Sequence, residues 1–229
     1  MARLTDRRAV LEKAAYQLHL EMLVEERARV LNEALEDLNE LHGAGIETLA
    51  MALDLQDQGT SGHSRRVADM TRSIAQNLGI ANDELDQIEY GALLHDIGKL
   101  RIPDSILWKP ADLNAGEWQI MRRHPRYGYE FVKDIEFLEG AADIILSHHE
   151  KFDGSGYPRG LTGSEISLGA RIFSLVDAVD AMVHDRPYHR GTPFPKACEE
   201  IIRHIGTHFD PDLVEPALTH METYLEVPL

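Results

Sequence analysis

His95 and Asp96 stand side by side, with Lys99 three residues on. Some fifty residues later the chain reads His148-His149-Glu150, then Gly156-Tyr157-Pro158. An isolated His124 lies between these clusters, and His63 and Asp177 lie outside them. Histidine and aspartate are side chains that hold catalytic divalent metals. Seven potential ligands, spread over about half of the chain, imply a site assembled by folding and large enough for two metals.

Each ligand alone has a plainer reading. His95 continues the apolar stripe Leu85, Ile88, Ala92, where a lone histidine is a core residue with hydrogen-bonded ring nitrogens. Asp96 changes that reading. A buried carboxylate is costly without a counter-charge; a metal provides one, and two oxygens can bridge two ions. His124 precedes Pro125, which disfavours helix at 124 and suits the opening of the next helix. That puts His124 at a helix junction, although alone it reads equally well as a surface residue. His148 and His149 would diverge by about 100° on a helix, so both reach one site only from a helix end. Asp177 shares a small-residue stripe with Ala170, Ser174 and Ala181, which lets its helix approach closely.

Five histidines and two aspartates suit iron, manganese, nickel or zinc better than calcium or magnesium. The charge left after two aspartates oppose two divalent ions can bind a phosphodiester and acidify a bridging water. Lys99, one turn from Asp96, can contact phosphate or help the leaving oxygen; otherwise it is a solvated lysine.

The elements that must position these residues read as helices. A chain of 229 residues with 43% hydrophobic residues fits one compact domain plus an extension. The net charge of -16 repels nucleic acid and anionic membrane. An anionic substrate must therefore meet a locally positive site. The single cysteine, Cys198, excludes an intrachain disulfide framework. The first residues (Arg3, Asp6, Arg7, Arg8) lack the apolar run of a signal peptide, and no stretch approaches a membrane span. Cytoplasm is the expected compartment.

Residues 1–42 contain no Gly and no Pro. Leu11, Ala15, Leu18, Met22 and then Leu31, Ala34, Leu38, Leu41 form a seam close to heptad spacing, interrupted by Glu25 to Arg29. This predicts either a helix packed on its own domain or a dimerising, signal-carrying one. Gly43-Ala44-Gly45 is expected to end it. Beyond it, Ile46, Leu49, Leu53 form one stripe and His63, Val67, Met70, Ile74 another. Asn82 is expected to cap a third helix, with Asp83 and Glu84 in its first turn, and Gly98 to end it. Asn114 and Glu117 fit a capping pair. Further helices fit 137–149, 167–184, 195–205 and 211–226. The glycine-rich stretch 150–166 should lie at the mouth of the site. His19, His42, His184, His204, His208 and His220 read as surface or core residues.

Residues about 52–215 resemble the HD-GYP domain, a branch of the HD metal-dependent phosphohydrolases. The resemblance rests on Gly62-His63-Ser64, Leu94-His95-Asp96-Ile97-Gly98-Lys99, Ile102-Pro103-Asp104, Lys109-Pro110, His124-Pro125, His148-His149-Glu150, Asp153 to Pro158, Asp177 to Ala181 and Asp185-Arg186-Pro187-Tyr188. It implies an all-α bundle of about seven helices over residues 51–229, preceded by a long connector helix at 1–50. It implies hydrolysis of cyclic di-GMP to pGpG and then GMP, with two divalent ions, iron or manganese favoured. Their ligands would be His63, His95, Asp96, His124, His148, His149 and Asp177, with Asp96 bridging. Lys99 and Asp180 would assist at the phosphate. Tyr157, Arg186 and Asp57 would contact the substrate. A homodimer through the N-terminal helix and docking of a diguanylate cyclase on the Gly-Tyr-Pro loop are the expected partnerships. Gly59 stands where some members carry a Glu for a third metal, Gln56 where Arg is common, and His189 where Arg or Lys follows the Tyr. These departures motivate an alternative, a cyclic di-GMP sensing or docking module with little catalysis. A third reading is an HD hydrolase for another nucleotide.

Overall fold

The computed structural model describes the backbone of residues 2–56, 62–185 and 190–226. Among the described residues all regular structure is helical and no strand forms. The α-helices are α1 (Ala2–Gln56), α2 (His63–Asn77), α3 (Asn82–Leu93), α4 (Asp104–Leu107), α5 (Ala115–Met121), α6 (His124–Val132), α7 (Glu139–Ser147), α8 (Leu168–Val183), α9 (Phe194–Arg203) and α10 (Pro211–Glu226). Short 3-10 segments lie at Ile97–Arg101, Glu136–Leu138 and Gly163–Glu165. The chain divides into two compact units, Met1–Gly45 and Ile46–Leu229.

The first unit is one continuous helix. Its described seam side chains are open to solvent, with Leu31 60% and Leu41 69% exposed. The break expected at Gly43-Ala44-Gly45 does not occur, and α1 runs on to Gln56. A glycine inside a helix costs only about 1 kcal/mol. Gly45 stays helical, and a Cβ there would touch nothing within 4 Å. Burial of Ile46, Ala50 and Leu53 in the second unit's core holds the last turns of α1. Leu49, expected on that stripe, is 44% exposed; Ala50, four residues after Ile46, takes the inner place.

The second unit's core joins α2, α3, α7 and α8. Val67 and Ile74 meet Leu85 and Ile88, with Ile144, Ile145, Ile172 and Phe173 filling the centre. Phe173 is fully buried and lies against the rings of His95 (4.9 Å) and His148 (5.9 Å). The apolar core therefore forms one wall of the histidine cluster.

Local signals hold in some places and fail in others. Asn114 accepts from the Glu117 amide at 3.0 Å while Glu117 accepts from the Asn114 amide at 2.8 Å, completing the expected capping box. At α3 the N-cap is Ala81, with Asn82 the first helical residue, although Asp83 and Glu84 do occupy the first turn. Gly98 does not end α3, which stops at Leu93. It lies in the 3-10 segment, where a Cβ would sit 1.9 Å from the His124 carbonyl oxygen and 2.5 Å from the Gly128 amide nitrogen. Backbone meets backbone there, so nothing flexible can yield. Among the described residues no helix is long and apolar enough to cross a membrane.

Gly98→Ala is expected to lower the unfolding free energy by about 1–3 kcal/mol or more, the scale of overpacking in a core. Urea unfolding followed by circular dichroism measures it. Unchanged stability would mean that the approach of this segment to α6 is not tight.

Candidate metal centre

Three of the histidines are fixed in the same way. The Nδ1–H of His95 donates to the Ala92 carbonyl at 2.8 Å, that of His124 to Met121 at 2.9 Å, and that of His148 to Ile145 at 2.8 Å. In each case the acceptor lies three residues back, in the last turn of α3, α5 or α7. The last carbonyls of a helix have no partner within it, so each ring takes up one that would otherwise be orphaned. A carbonyl only accepts, so the proton sits on Nδ1 and the lone pair on Nε2.

Those lone pairs converge. His124 Nε2 and His148 Nε2 are 3.1 Å apart. With both Nδ1 atoms protonated, neither Nε2 carries a hydrogen to share. Two facing lone pairs at that distance favour a cation beside them. His148 and His149 both serve the site from the end of α7, with His148 its C-cap.

His63, the first residue of α2, is held differently. Its Nδ1–H donates to Asp180 Oδ2 at 2.7 Å, and its Nε2 lies 3.2 Å from Asp177 Oδ1. Asp180, expected at the phosphate, has its carboxylate engaged behind His63: Oδ1 accepts from Arg66 Nε at 2.9 Å and lies 2.9 Å from His184 Nδ1. It orients His63 as carboxylates orient metal-binding histidines.

The donors form two groups, His124 with His148 and His149, and His63 with His95 and Asp177. Within each, one donor atom per residue lies within 4.8 Å of the others. Asp96 stands between them. Its Oδ2 is 3.1 Å from His95 Nε2 and its Oδ1 3.3 Å from His124 Nε2. Each oxygen thus faces one group, the arrangement a bridging carboxylate requires. Lys99 Nζ lies 2.8 Å from Asp96 Oδ2.

Electrostatics divides the donors: the all-imidazole group is lowered, whereas Asp96 raises His95 against its burial. Burial works against the charged form of Asp96, but Lys99 and His95 outweigh it and hold the carboxyl well below its ordinary range. Burial, helped by His124, pushes His149 down to about 3. Burial and neighbouring imidazoles also depress His148, and burial, Lys99 and His95 depress His124. These rings are neutral, the form that ligates. Burial would depress His63 too, but its hydrogen bonds to Asp177 and Asp180 lift it to about 9. The carboxylates on that side call for positive charge.

On the open side, the Tyr157 ring lies 4.8 Å from His149, and the Arg122 guanidinium lies 5.4 Å above the Tyr157 ring. Burial raises the Tyr157 hydroxyl to about 12, so it remains a hydrogen-bond donor. A cleft beside His63 and Asp96 is lined by Leu53, Asp54, Gln56, Ser64, Lys99 and Leu107. Asp57, Gly59, Arg186 and His189 lie outside the described residues.

Sequence reasoning gave Glu150 no role. It is 2% exposed and accepts from the amides of Arg159 (2.7 Å), Gly160 (3.0 Å) and Leu161 (3.1 Å). These bonds fold the loop that carries Tyr157. A Cβ on Gly156 would sit 2.3 Å from the Lys151 nitrogen, so the loop also closes on its own start. An acid between two histidines and a glycine-rich run was the available signal. The roles of Arg66 and Arg122 had none, because their partners are distant in sequence.

The fold and the site together define a helical domain built to hold divalent metal. The HD domain family model matches residues 47–213. The chain belongs to the HD domain family, and its motifs place it in the HD-GYP branch. It is 40% identical over 201 residues to the cyclic di-GMP phosphodiesterase response regulator RpfG of Xanthomonas campestris pv. campestris, covering 85% of this chain and 53% of that one. It is 38% identical over 193 residues to 3'3'-cGAMP-specific phosphodiesterase 2 of Vibrio cholerae, covering 83% of this chain and 37% of that one. The chain thus spans about half, or less, of these relatives' length. A solved cyclic GMP-AMP specific phosphodiesterase of V. cholerae, V-cGAP3, shares the fold, with TM-score 0.61 and 22% identity over 80% of this chain and 48% of that one.

Asp96→Ala is expected to abolish binding of both ions while helical content is kept. Metal analysis with circular dichroism on the same sample measures this. Two ions retained at wild-type affinity would contradict a shared carboxylate.

Proposed function

We propose that this domain is a metal-dependent phosphodiesterase that opens cyclic di-GMP to pGpG and/or GMP. The observation that carries the reading is Asp96, whose two oxygens face two separate donor groups. Two divalent ions held there, iron or manganese in preference to nickel or zinc, would supply Lewis acidity and an acidified water for in-line attack at phosphorus.

The chain's own residues do the rest. His63, His95 and Asp177 would hold one ion and His124, His148 and His149 the other, with Asp96 available to both. Asp180 positions His63. Lys99 brings a positive charge beside the shared carboxylate, where it can face the phosphate and the departing oxygen. Tyr157, on the loop folded around Glu150, contacts the substrate, as do Arg186 and Asp57. Arg122 adds positive charge at the rim. Residues 99–133 carry seven Lys and Arg against four Asp and Glu, a local +3 in a chain of -16. The relatives' names include both cyclic di-GMP and 3'3'-cGAMP phosphodiesterases, so the mixed dinucleotide is the second substrate considered.

The connector helix is proposed to pair with a second copy through Leu31, Ala34, Leu38 and Leu41. The Gly-Tyr-Pro loop is proposed as the docking point for a diguanylate cyclase, and the cytoplasm as the compartment.

Protein loaded with iron or manganese under reducing conditions is expected to release pGpG or GMP from cyclic di-GMP, faster than it opens 3'3'-cGAMP. Absence of product with every metal, alongside measurable cyclic di-GMP binding, would favour the sensing module instead. Faster turnover of 3'3'-cGAMP would move the substrate assignment. Light scattering is expected to give a dimer that becomes a monomer in Leu31→Glu/Leu38→Glu; a wild-type monomer at high concentration would remove the pairing.

A further inference from the structure

We propose that Asp54 is a positioning residue that, through Ser64, holds His63 in its metal group. The proposal rests on reading the histidine cluster as a metal centre, but not on any substrate. α2 begins on His63, and its N-cap is Gly62, in the left-handed region at φ 72° with no side chain to offer. The first amides of a helix lack partners within it, and a side-chain cap normally satisfies one. Here the uncapped first turn carries a ligand.

The missing support comes from α1. Ser64 is 4% exposed, and its hydroxyl donates to Asp54 Oδ1 at 2.5 Å. The Asp54 carboxylate also stands near the positive end of the α2 dipole, where negative charge stabilises. One residue further, Arg65 pairs with Glu47 of α1 at 2.5 Å and with Asp69 at 2.8 Å. The first turn of α2 is therefore tied to α1 twice. Burial of Ile46, Ala50 and Leu53 fixes the part of α1 that makes the ties. Asp54 belongs to neither donor group, so its effect on metal passes through Ser64 and the backbone of His63. A shift of α1 that withdrew Asp54 would loosen one ion of the pair and leave the His124 group untouched.

Calorimetric titration of the full chain with Mn2+ tests this. Asp54→Ala and Ser64→Ala are expected to weaken one of the two ions about tenfold, the scale of a supporting partner of a metal ligand. The other ion should stay within about twofold of wild type. The double variant should be no weaker than either single one, because both remove the same bond. Asp54→Asn, whose amide oxygen still accepts from Ser64, should retain most of the affinity, which a general loss of packing would not predict. Wild-type binding in both alanine variants, or additive losses in the double, overturns the proposal alone. A wild-type chain that binds no Mn2+ overturns the metal reading with it. If Asp54→Ala loses helical content, Ser64→Ala decides.

Discussion

The site depends on one repeated interaction, a ring Nδ1–H given to the carbonyl three residues back. His95, His124 and His148 each make it at the end of a different helix. The bond fixes the tautomer and aims Nε2 into the centre before any ion arrives. It also places the C-terminal ends of α3, α5 and α7 around one point. Helix C-termini carry partial negative charge, so their convergence favours cations there. The same backbone groups thus orient the ligands and prepare the field.

The two halves of the centre are not equivalent. The His124 group is all imidazole; burial lowers all three rings, with His149 and His124 adding to it at His148 and His124 at His149. His63 is nearly as buried but sits between Asp177 and Asp180, and it moves the opposite way. Asp96 adds one oxygen to each side. One group therefore offers three nitrogens and an oxygen, the other two nitrogens and two oxygens. Nitrogen-rich sets bind late first-row metals more strongly, so ions bound at the two groups would differ in how readily they leave. The carboxylate-rich half is also the one tied to α1 through Ser64 and Asp54.

The helices, and which histidines and aspartates come together, were largely legible in the sequence. Period marked α2, α8, α9 and α10 to within a few residues, and the Asn114–Glu117 box formed as expected. Glycine was where reading failed. Gly98 looked like a helix stop but marks a backbone contact with His124, and Gly45 looked like a break but lies within a helix. A glycine means a turn, a close approach or nothing, and only its spatial neighbours decide. His95 followed the α3 stripe although α3 ends at Leu93, because a tight turn continues roughly the same spacing. Asp180 was legible as an acid near the site but not as the partner of His63, 117 residues away in sequence.

Glu150 explains why the histidine cluster stops where it does. It follows His148 and His149 directly and, by type, could have joined their donor group. Three amides occupy its oxygens instead, and a carboxylate so satisfied gains little by turning to a metal. Those amides belong to residues 159–161, so the bonds fold the chain back just after Tyr157. Gly156 permits the close return to Lys151 that this fold requires. The ring of Tyr157 is thereby held against His149 from the loop side. One buried acid thus stays out of both donor groups and fixes Tyr157 beside His149.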